Sequence, residues 1–381
     1  MPFLQEMAEL VPPETVVVDA HTHLGADEDG RSQGLPALLE QLDTVGAQTR
    51  ACVFPLHDPD RRPAYRRPND RVLAWAAQSE GRLTPYCRLD PADDPVGEAE
   101  RCLALGAKGI KLHPRAQAFG FGDGAAEGIF ELARDAAVPI LVHAGRGMPP
   151  MDALAELALR FPDVTLVLAH GAIAGQGMFA SRLAEHPSVL YDTSVFSAVD
   201  AVELFARVPA ERIVFGSDSP YGHPLSGLYM AMRAAARAGV DAEGRAMIAG
   251  GTMAAVLDGQ PLPAASKPRL EEVRPVNGRL QRVNGYLMMA VGAALTANPP
   301  DLERAQEGVA LARYACRDPD PADAGIALER VDAALAAAEQ IVADGGEAAN
   351  LAIGLAVAAA AVAATEPVAG PERVAAPQLP T

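Results

Sequence analysis

Residues 16–25 read VVVDAHTHLG, and this stretch decides the fold. Its three consecutive valines predict a buried β-strand, because β-branched side chains favour the pleated backbone. Side chains two residues apart in a strand point to the same face, so His21 and His23 can direct their imidazoles at one point where a cation could sit. Asp19 lies on that face too, one step deeper, where it could orient a metal ligand. The pair alone indicates a metal site only weakly, since histidine is also ordinary at strand ends.

The same arrangement, a short apolar run followed by a helical segment, recurs roughly every 25 to 35 residues. The later apolar runs are 50–55, 83–89, 107–113, 138–143, 164–170, 188–193 and 212–218. The helical segments are 35–45, 70–79, 96–105, 128–137, 152–160, a shorter one near 181, 199–207 and 227–238. Eight such units predict an α/β fold, a closed (β/α)8 TIM barrel. A doubly wound open sheet is the alternative, but no GxGxxG turn follows the first run.

The composition limits the classes of function that are compatible with this chain. The chain has 381 residues, 49% of them hydrophobic, and a formal net charge of -17 at pH 7. Such acidity argues against a nucleic-acid partner, which requires a basic surface. The first residues lack the basic region and apolar core of a signal peptide, so a cytoplasmic protein is predicted. Four cysteines without metal-finger spacing indicate reduced thiols in that compartment: Cys52, Cys87, Cys102 and Cys316.

The composition changes after residue 260. We predict a barrel over 1–260, a linker over 261–277, an Ala-rich helical bundle over 278–365 and a disordered tail over 366–381. The predicted helices are 278–297, 302–316, 322–343 and 347–364. In the third, an apolar stripe repeats at helical spacing and suits self-association, so a homo-oligomer formed through these helices is one expectation; its members are Leu328, Val331, Leu335, Ala338 and Val342. The uncharged stretch 348–364 is mostly alanine without basic or aromatic flanks, which favours a packed helix over a membrane span.

Polar residues follow the apolar runs at the same end of each predicted strand. They are His21 and His23, Lys111 and His113, His143, His170, and Asp218. All fall on the C-terminal side of their strands, the face on which barrel active sites form. Imidazoles together with a carboxylate suit a divalent cation, with Zn²⁺ as the first choice and Mn²⁺, Fe²⁺ or Co²⁺ as further choices.

Several of these segments resemble motifs of the amidohydrolase superfamily, and in particular of its amidohydrolase-related branch. The resemblance covers about residues 15–258 and is carried by HTH (21–23), CRLDP (87–91), GIKLHP (109–114), VHAG (142–145), LAHG (168–171) and GSDSP (216–220). It does not extend to the C-terminal helices.

The resemblance implies roles for the residues at the strand ends. His21, His23 and His143 correspond to metal ligands, and Asp218 to a ligand that also moves a proton. His170 corresponds to a catalytic histidine that activates water or polarises the substrate.

Lys111 has two interpretations. It is either a carboxylated lysine bridging two metal ions or a contact for a substrate anion. His113 is either a substrate contact or a rim residue. Arg146 and His223 are further candidates for substrate binding. Arg146 follows His143 closely and could bind a carboxylate through two parallel hydrogen bonds.

The function predicted from these residues is hydrolysis of a C–N or C–O bond in a small amide, lactone or ester. A metal-activated water would attack, Asp218 would transfer its proton, and His170 would polarise the carbonyl. The first alternative is metal-dependent, non-oxidative decarboxylation of a small aromatic acid. The second belongs to another class, a non-catalytic binding or assembly protein with its helical region as the contact surface. Whether one or two ions bind stays open, and neither nucleic acid nor membrane is expected as a partner.

Overall fold

The computed structural model describes residues 2–12, 14–122, 124–145, 151–173, 175–183, 186–194, 197–267, 277–295, 301–317, 325–343 and 349–366. Among these residues, ten strands occur: β1 Val18–Ala26, β2 Ser32–Gln33, β3 Arg50–Pro55, β4 Leu83–Pro85, β5 Cys87–Arg88, β6 Ile110–Leu112, β7 Ile140–Val142, β8 Leu166–Leu168, β9 Val189–Asp192 and β10 Ile213–Val214. Strands β5 to β10 pair in parallel in chain order, and β1 pairs in parallel with β3, which pairs with β4.

The two sheets close into one barrel. Strands β4 and β5 follow one another along the chain, separated only by Tyr86, and together act as one barrel strand. Because β4 pairs with β3 and β5 pairs with β6, this strand joins the two sheets. On the other side the backbone after β10 lies beside β1, where the amide of Ala20 donates to the carbonyl of Phe215 and that of His23 donates to Ser219, each at 2.8 Å. Eight parallel paths therefore form a TIM barrel, as predicted from the repeating runs. The antiparallel pairing of β1 with the short β2 was not predicted.

The barrel helices are α1 Pro2–Leu10, α2 Leu35–Asp43, α3 Arg66–Ala77, α4 Pro95–Ala104, α5 Pro114–Gln117, α6 Ala125–Asp135, α7 Asp152–Arg160, α8 Gln176–Arg182, α9 Ala198–Arg207, α10 Pro224–Arg237, α11 Ala242–Ala246 and α12 Thr252–Leu257. A buried apolar layer fills the barrel interior and includes Val18, Phe54, Leu141 and Val214. A larger layer lies between the strands and the surrounding helices. Gly109 has no room for a side chain, since a Cβ there would lie 2.5 Å from the Tyr86 ring.

The C-terminal helices form a small all-α bundle. They are α13 Gly278–Leu295, α14 Leu302–Arg317, α15 Gly325–Ala343 and α16 Ala349–Thr365, close to the predicted ranges. Leu328, Val331, Leu335 and Ala338 of the predicted stripe are buried inside this chain. Association of copies through these helices stays a prediction. Parts of the predicted linker and tail, residues 268–276 and 367–381, lie outside the described residues, so the domain limits also stay predictions.

The bundle packs on the barrel chiefly through α16, which lies against α9 and α10. Within the described part of the chain, no helix combines the length and apolar character needed to cross a membrane. All four cysteines are free and buried.

A partly buried ionic cluster, here called the junction, connects the bundle to the barrel. Arg233 of α10 contacts Glu6 of α1 and donates to Thr365 at 2.8 Å and to Glu366 at 3.2 Å. Glu6 also contacts Arg330 of α15. The junction therefore links both ends of the described chain to one barrel helix.

Candidate metal centre and active site

The centre is built where β1 and the backbone after β10 meet. His21 and His23 lie two residues apart on β1, and the Nε2 atoms of both approach Oδ1 of Asp218, at 3.1 and 3.0 Å. The ligand atoms of these three buried residues lie within 4.8 Å of one another. Asp218 adopts a left-handed backbone conformation with φ of 60°, and its amide donates to the carbonyl of His21 at 2.8 Å. The same-face prediction for the two histidines is confirmed.

The residue that orients His21 lies on β9, two strands from β1 around the barrel. The Nδ1–H of His21 donates to Oδ2 of Asp192, the last residue of β9, at 2.7 Å. This bond holds the Nδ1 proton of His21 toward Asp192 and directs Nε2 toward Asp218. Asp19 instead accepts from the backbone amides of His21 and Ser217, at 3.1 and 2.9 Å, and thereby joins β1 to the loop after β10.

The electrostatics of the centre set the ionisation of its two carboxylates and of His23. Burial alone would raise the pKa of Asp192 and Asp218, but nearby His21 outweighs it, lowering the pKa of Asp192 to about 2 and that of Asp218 well below its usual range. Burial lowers the pKa of His23 to about 3. The centre at neutral pH therefore holds two ionised carboxylates and a neutral imidazole at His23, the states in which these groups bind metals.

Lys111 points into the same centre. Its Nζ lies 3.3 Å from Nε2 of His21 and 4.6 Å from the centroid of the Phe54 ring. Burial lowers its pKa to about 7, despite the opposing charge of Asp218. This position is compatible with both predicted roles, a modified bridging lysine or an anion contact, and the choice between them stays a prediction.

The remaining histidines form a chain beside the centre. Nδ1 of His170 lies 2.6 Å from the carbonyl oxygen of Ser194, which can only accept, so this nitrogen carries the proton. Burial lowers the pKa of His170, so the ring is neutral and its Nε2 accepts from Nδ1–H of His143 at 2.9 Å. His143 in turn stacks on His113 with ring centroids 3.8 Å apart.

The structure thus places His143 differently from His21 and His23. His143 is outside the group of ligand atoms within 4.8 Å, and its Nδ1 is bonded to His170. Its Nε2 is buried and has no hydrogen-bond partner among the described atoms. Because an unpaired buried nitrogen is costly, this atom is available to a ligand, and the role of His143 as a metal ligand stays a prediction.

The predicted substrate contacts are only partly brought together. Nδ1 of His113 accepts from the amide of Ala116 at 3.2 Å and caps α5, while its ring stacks at the mouth. His223 accepts from the amide of Leu225 at 3.3 Å and caps α10. Arg146 lies outside the described residues.

The donor set suits a divalent cation. Two imidazoles and a carboxylate provide three potential ligand atoms, and Asp192 supports His21 from behind, the arrangement that metal-binding histidines usually show. The direct approach of Asp218 to both histidines brings together lone pairs that a cation between them would satisfy. The residues present therefore fit a metal ion.

A family comparison supports the interpretation drawn from the geometry. The sequence profile of the amidohydrolase family matches residues 18–259, well over half of the chain. This chain belongs to the amidohydrolase family. It is therefore an enzyme of that family, and its His–His–Asp group fits a metal site. No match is found among curated proteins.

Solved structures share the barrel. IDCase from Metarhizium anisopliae is 16% identical with a TM-score of 0.50, covering 65% of this chain and 98% of that one. The 5-carboxyvanillate decarboxylase LigW from Sphingomonas paucimobilis is also 16% identical with a TM-score of 0.50, covering 64% and 99%. An uncharacterised TIM-barrel protein from Bordetella bronchiseptica is 14% identical with the same score, covering 64% and 98%. At these identities the likeness shows the fold alone.

One residue of this amidohydrolase barrel mouth was missed by the sequence reasoning. Arg88, the last residue of β5, is 1% exposed. It donates to the carbonyl of Pro55 at 3.1 Å, lies 3.3 Å from Nδ1 of His57 and stacks over the Tyr65 ring. The same strand-end rule that selected Lys111 could have found it, since Arg88 lies within the third apolar run.

A small pocket that opens to solvent adjoins the centre of the amidohydrolase. It is lined by Thr193 and Ser194 after β9, by residues 216–217 and 220–223 after β10, and by the start of α10. His21, His23 and Asp218 are not among its lining residues. Ser194 connects the two regions, because its Oγ lies 3.2 Å from Nδ1 of both His21 and His170.

Proposed function

We propose that this amidohydrolase hydrolyses a C–N or C–O bond of a small amide, lactone or ester with a divalent metal, Zn²⁺ being the ion that fits the nitrogen and oxygen donors best. The observation that carries the proposal is the convergence of His21, His23 and Asp218 at the barrel mouth, with Asp192 behind His21. When bound there, the metal would acidify a water molecule and polarise a carbonyl.

Asp218 is the group that moves the proton in this proposal. Its pKa lies well below its usual range, because His21 and His23 outweigh the effect of burial, so the carboxylate is ionised at neutral pH. It can accept the proton of the attacking water and later return it to the leaving nitrogen or oxygen. The hydrogen bond from the backbone amide of Asp218 to the carbonyl of His21 on β1 holds Asp218 in position for both transfers.

His170 and His143 act together at the other side of the centre. Because His170 holds its proton on Nδ1 toward Ser194, its Nε2 is engaged by His143 and does not face a substrate as a donor. His170 therefore orients His143, whose Nε2 presents a lone pair to the metal or to a proton on the substrate. In this arrangement neither His170 nor the Nε2 lone pair of His143 donates to the substrate carbonyl, which differs from the predicted role of His170, and polarisation of the carbonyl would come from the metal.

Two buried cations favour a substrate with an anionic group. Arg88 ends β5 and lies beside Lys111 in the middle of the neighbouring β6, and Arg88 contributes to lowering the pKa of Lys111. A divalent ion would balance the two negative charges of Asp192 and Asp218, which leaves the positive charge of Arg88 and of the protonated form of Lys111 for an anion to neutralise. A carboxylate on the substrate, distant from the bond that breaks, satisfies this requirement.

The same two cations also favour the alternative, non-oxidative decarboxylation of a small aromatic acid, since they could hold the carboxylate that is lost. In that case the ion would bind substrate oxygens, and water would not be the nucleophile. The solvent oxygen in the product distinguishes the two reactions.

The test uses the full chain reconstituted in turn with Zn²⁺, Mn²⁺ and Co²⁺ in water enriched in ¹⁸O. A panel of lactones, amides and esters that carry a carboxylate is compared with aromatic acids. Metal-dependent turnover with one solvent ¹⁸O in the product is expected. Release of CO2 without solvent oxygen in the product would establish the decarboxylase instead, and absence of any metal binding would refute both.

A further inference from the structure

The C-terminal bundle reaches the active-site end of the barrel. Helix α10 begins at Pro224, directly after the loop that carries Asp218. Gly354, near the start of α16, lies beside Ser226 in the first turn of α10, whereas Thr365 at the end of α16 contacts Arg233 further along α10. The two helices therefore run in the same direction, and the first turns of α16 lie at the mouth.

These turns form a wall of the pocket that adjoins the centre. Ile353, Gly354 and Val357 line it from α16, facing Ser194, Tyr221 and His223 of the barrel. The wall is an addition to the family barrel, because the family match ends at residue 259 and the solved neighbours cover only about two thirds of this chain.

The lining selects a neutral group. No Asp, Glu, Lys or Arg is among the lining residues described, and burial lowers the pKa of His223, so that its ring is uncharged at pH 7. Met230, Ile353 and Val357 provide apolar surface, while the serine hydroxyls provide hydrogen bonds. Two lining residues of the pocket also contact the centre. Ser194 hydrogen-bonds with His21, and the Tyr221 ring centroid lies 6.0 Å from that of His23.

We propose that the first turns of α16 close a subsite for an uncharged, largely apolar part of the substrate, and that Gly354 sets the depth of this subsite. The proposal rests on the proposed function in placing the reacting bond at the His–His–Asp group. A Cβ at Gly354 would meet only Ser226, at 3.6 Å from its Oγ, so small side chains fit there while long ones project into the pocket.

The test measures binding rather than turnover. Acetohydroxamate and hexanohydroxamate chelate divalent ions through the same head group and differ only in their apolar tail. Both are titrated calorimetrically into the metal-loaded wild type, into Gly354→Leu and into Gly285→Leu. Gly285 is the matched control, a helical glycine of the bundle whose Cβ would meet no atom within 4 Å.

Each buried CH2 group of the tail is expected to raise affinity about fourfold, so hexanohydroxamate should bind wild type and Gly285→Leu on the order of 100-fold more tightly than acetohydroxamate. Gly354→Leu should lose most of this gain and keep its affinity for acetohydroxamate, which also shows that the variant is folded. Val357→Ala, which enlarges the pocket, should retain the gain. An equal gain in Gly354→Leu would overturn the subsite and leave the proposed function intact.

Failure of acetohydroxamate to bind any variant would refute the proposed metal chemistry instead. In that case the subsite is tested separately by titration with 1-hexanol, which has no chelating group. Saturable binding of hexanol to wild type and Gly285→Leu that is weakened at least about tenfold in Gly354→Leu supports the subsite, since the leucine occupies its volume. Equal binding to the three proteins, or no binding to wild type, overturns it.

Discussion

The candidate metal centre and the junction are both clusters of ionisable groups, the first buried and the second partly buried, but they are built differently. In the junction, oppositely charged side chains contact one another directly: Arg233 contacts Glu6 and Glu366, and Arg330 contacts Glu6. In the centre, three ligand atoms converge, and nearby His143 has a buried nitrogen without a partner among the described atoms.

This difference separates a structural cluster from a functional one. A satisfied ion-pair network stabilises the contact between two parts of a fold, whereas converging lone pairs cost free energy unless a ligand occupies the space between them. The comparison therefore predicts that substitutions in the centre reduce activity or metal binding, and that substitutions in the junction reduce stability.

The largest effect is expected for Asp218→Asn. The amide keeps the shape of the side chain but cannot accept a proton, so kcat should fall on the order of 10³-fold in whichever hydrolysis the substrate panel identifies. Metal content, measured by elemental analysis, should stay largely unchanged because His21 and His23 remain.

The control for this variant is Asp60→Asn, since Asp60 is an exposed carboxylate paired with Arg67 at 3.0 Å. It should keep wild-type turnover. Full activity in Asp218→Asn would remove Asp218 from the proton path, and the centre would then resemble the junction in having only a structural role.

A smaller effect is expected for Asp192→Asn, which leaves the ligands in place and alters only the group that orients His21. Loss of such a supporting carboxylate typically weakens metal binding about 10- to 100-fold. Competition with a chromophoric chelator measures the dissociation constant directly.

The matched control is Asp19→Asn, a second buried aspartate near β1. Asp19 accepts hydrogen bonds from backbone amides of His21 and Ser217, which an asparagine oxygen can also accept, so metal affinity should change little. Equal weakening by the two variants would show that burial of charge, and not the bond from His21 to Asp192, determines the affinity.

The histidine pair on β1 and the barrel fold were predictable from the sequence because they depend on local rules. Period-two alternation places His21 and His23 on one face, and parallel strands bring their C-terminal ends together, so Asp218 could be grouped with them. Arg88 obeys the same rule and was overlooked. The tautomer chain from Ser194 through His170 to His143 could not be predicted, because each proton position depends on a partner distant in sequence.

The position of the bundle could not be predicted for a different reason. Helix α16 is apolar on all sides, so its sequence contains no stripe that indicates which face packs on the barrel. In contrast, the stripe of α15 was recognisable and is buried. The junction was also unpredictable, since Glu6 and Arg233 are 227 residues apart in the sequence.

The junction provides a stability prediction. Glu6→Gln removes a charge that contacts two arginines and accepts from Tyr229 at 2.6 Å, so the free energy of unfolding should fall by about 2 kcal/mol in urea titrations. The control is Glu203→Gln, which removes an exposed i,i+4 pair with Arg207 and should cost less than about 0.5 kcal/mol. Metal content should be unchanged in both variants, and a loss in Glu6→Gln would contradict the separation of the two clusters.

The smallest effect is the dependence of that stability on pH. Burial alone would raise the pKa of Glu6, but the hydrogen bond from Tyr229 and the charges of Arg233 and Arg330 outweigh it and lower the pKa below 4.5. A carboxylate with a depressed pKa contributes stability that is fully present above about pH 4.5, its unfolded value, and is lost as the pH falls through the folded value. The difference in unfolding free energy between wild type and Glu6→Gln should therefore be constant from pH 7 to about pH 5 and narrow below 4.5, whereas other carboxylates titrate equally in both proteins and cancel. A difference that stays constant down to pH 3 would mean that Glu6 contributes through its shape and hydrogen bonds, and that the junction does not depend on its charge.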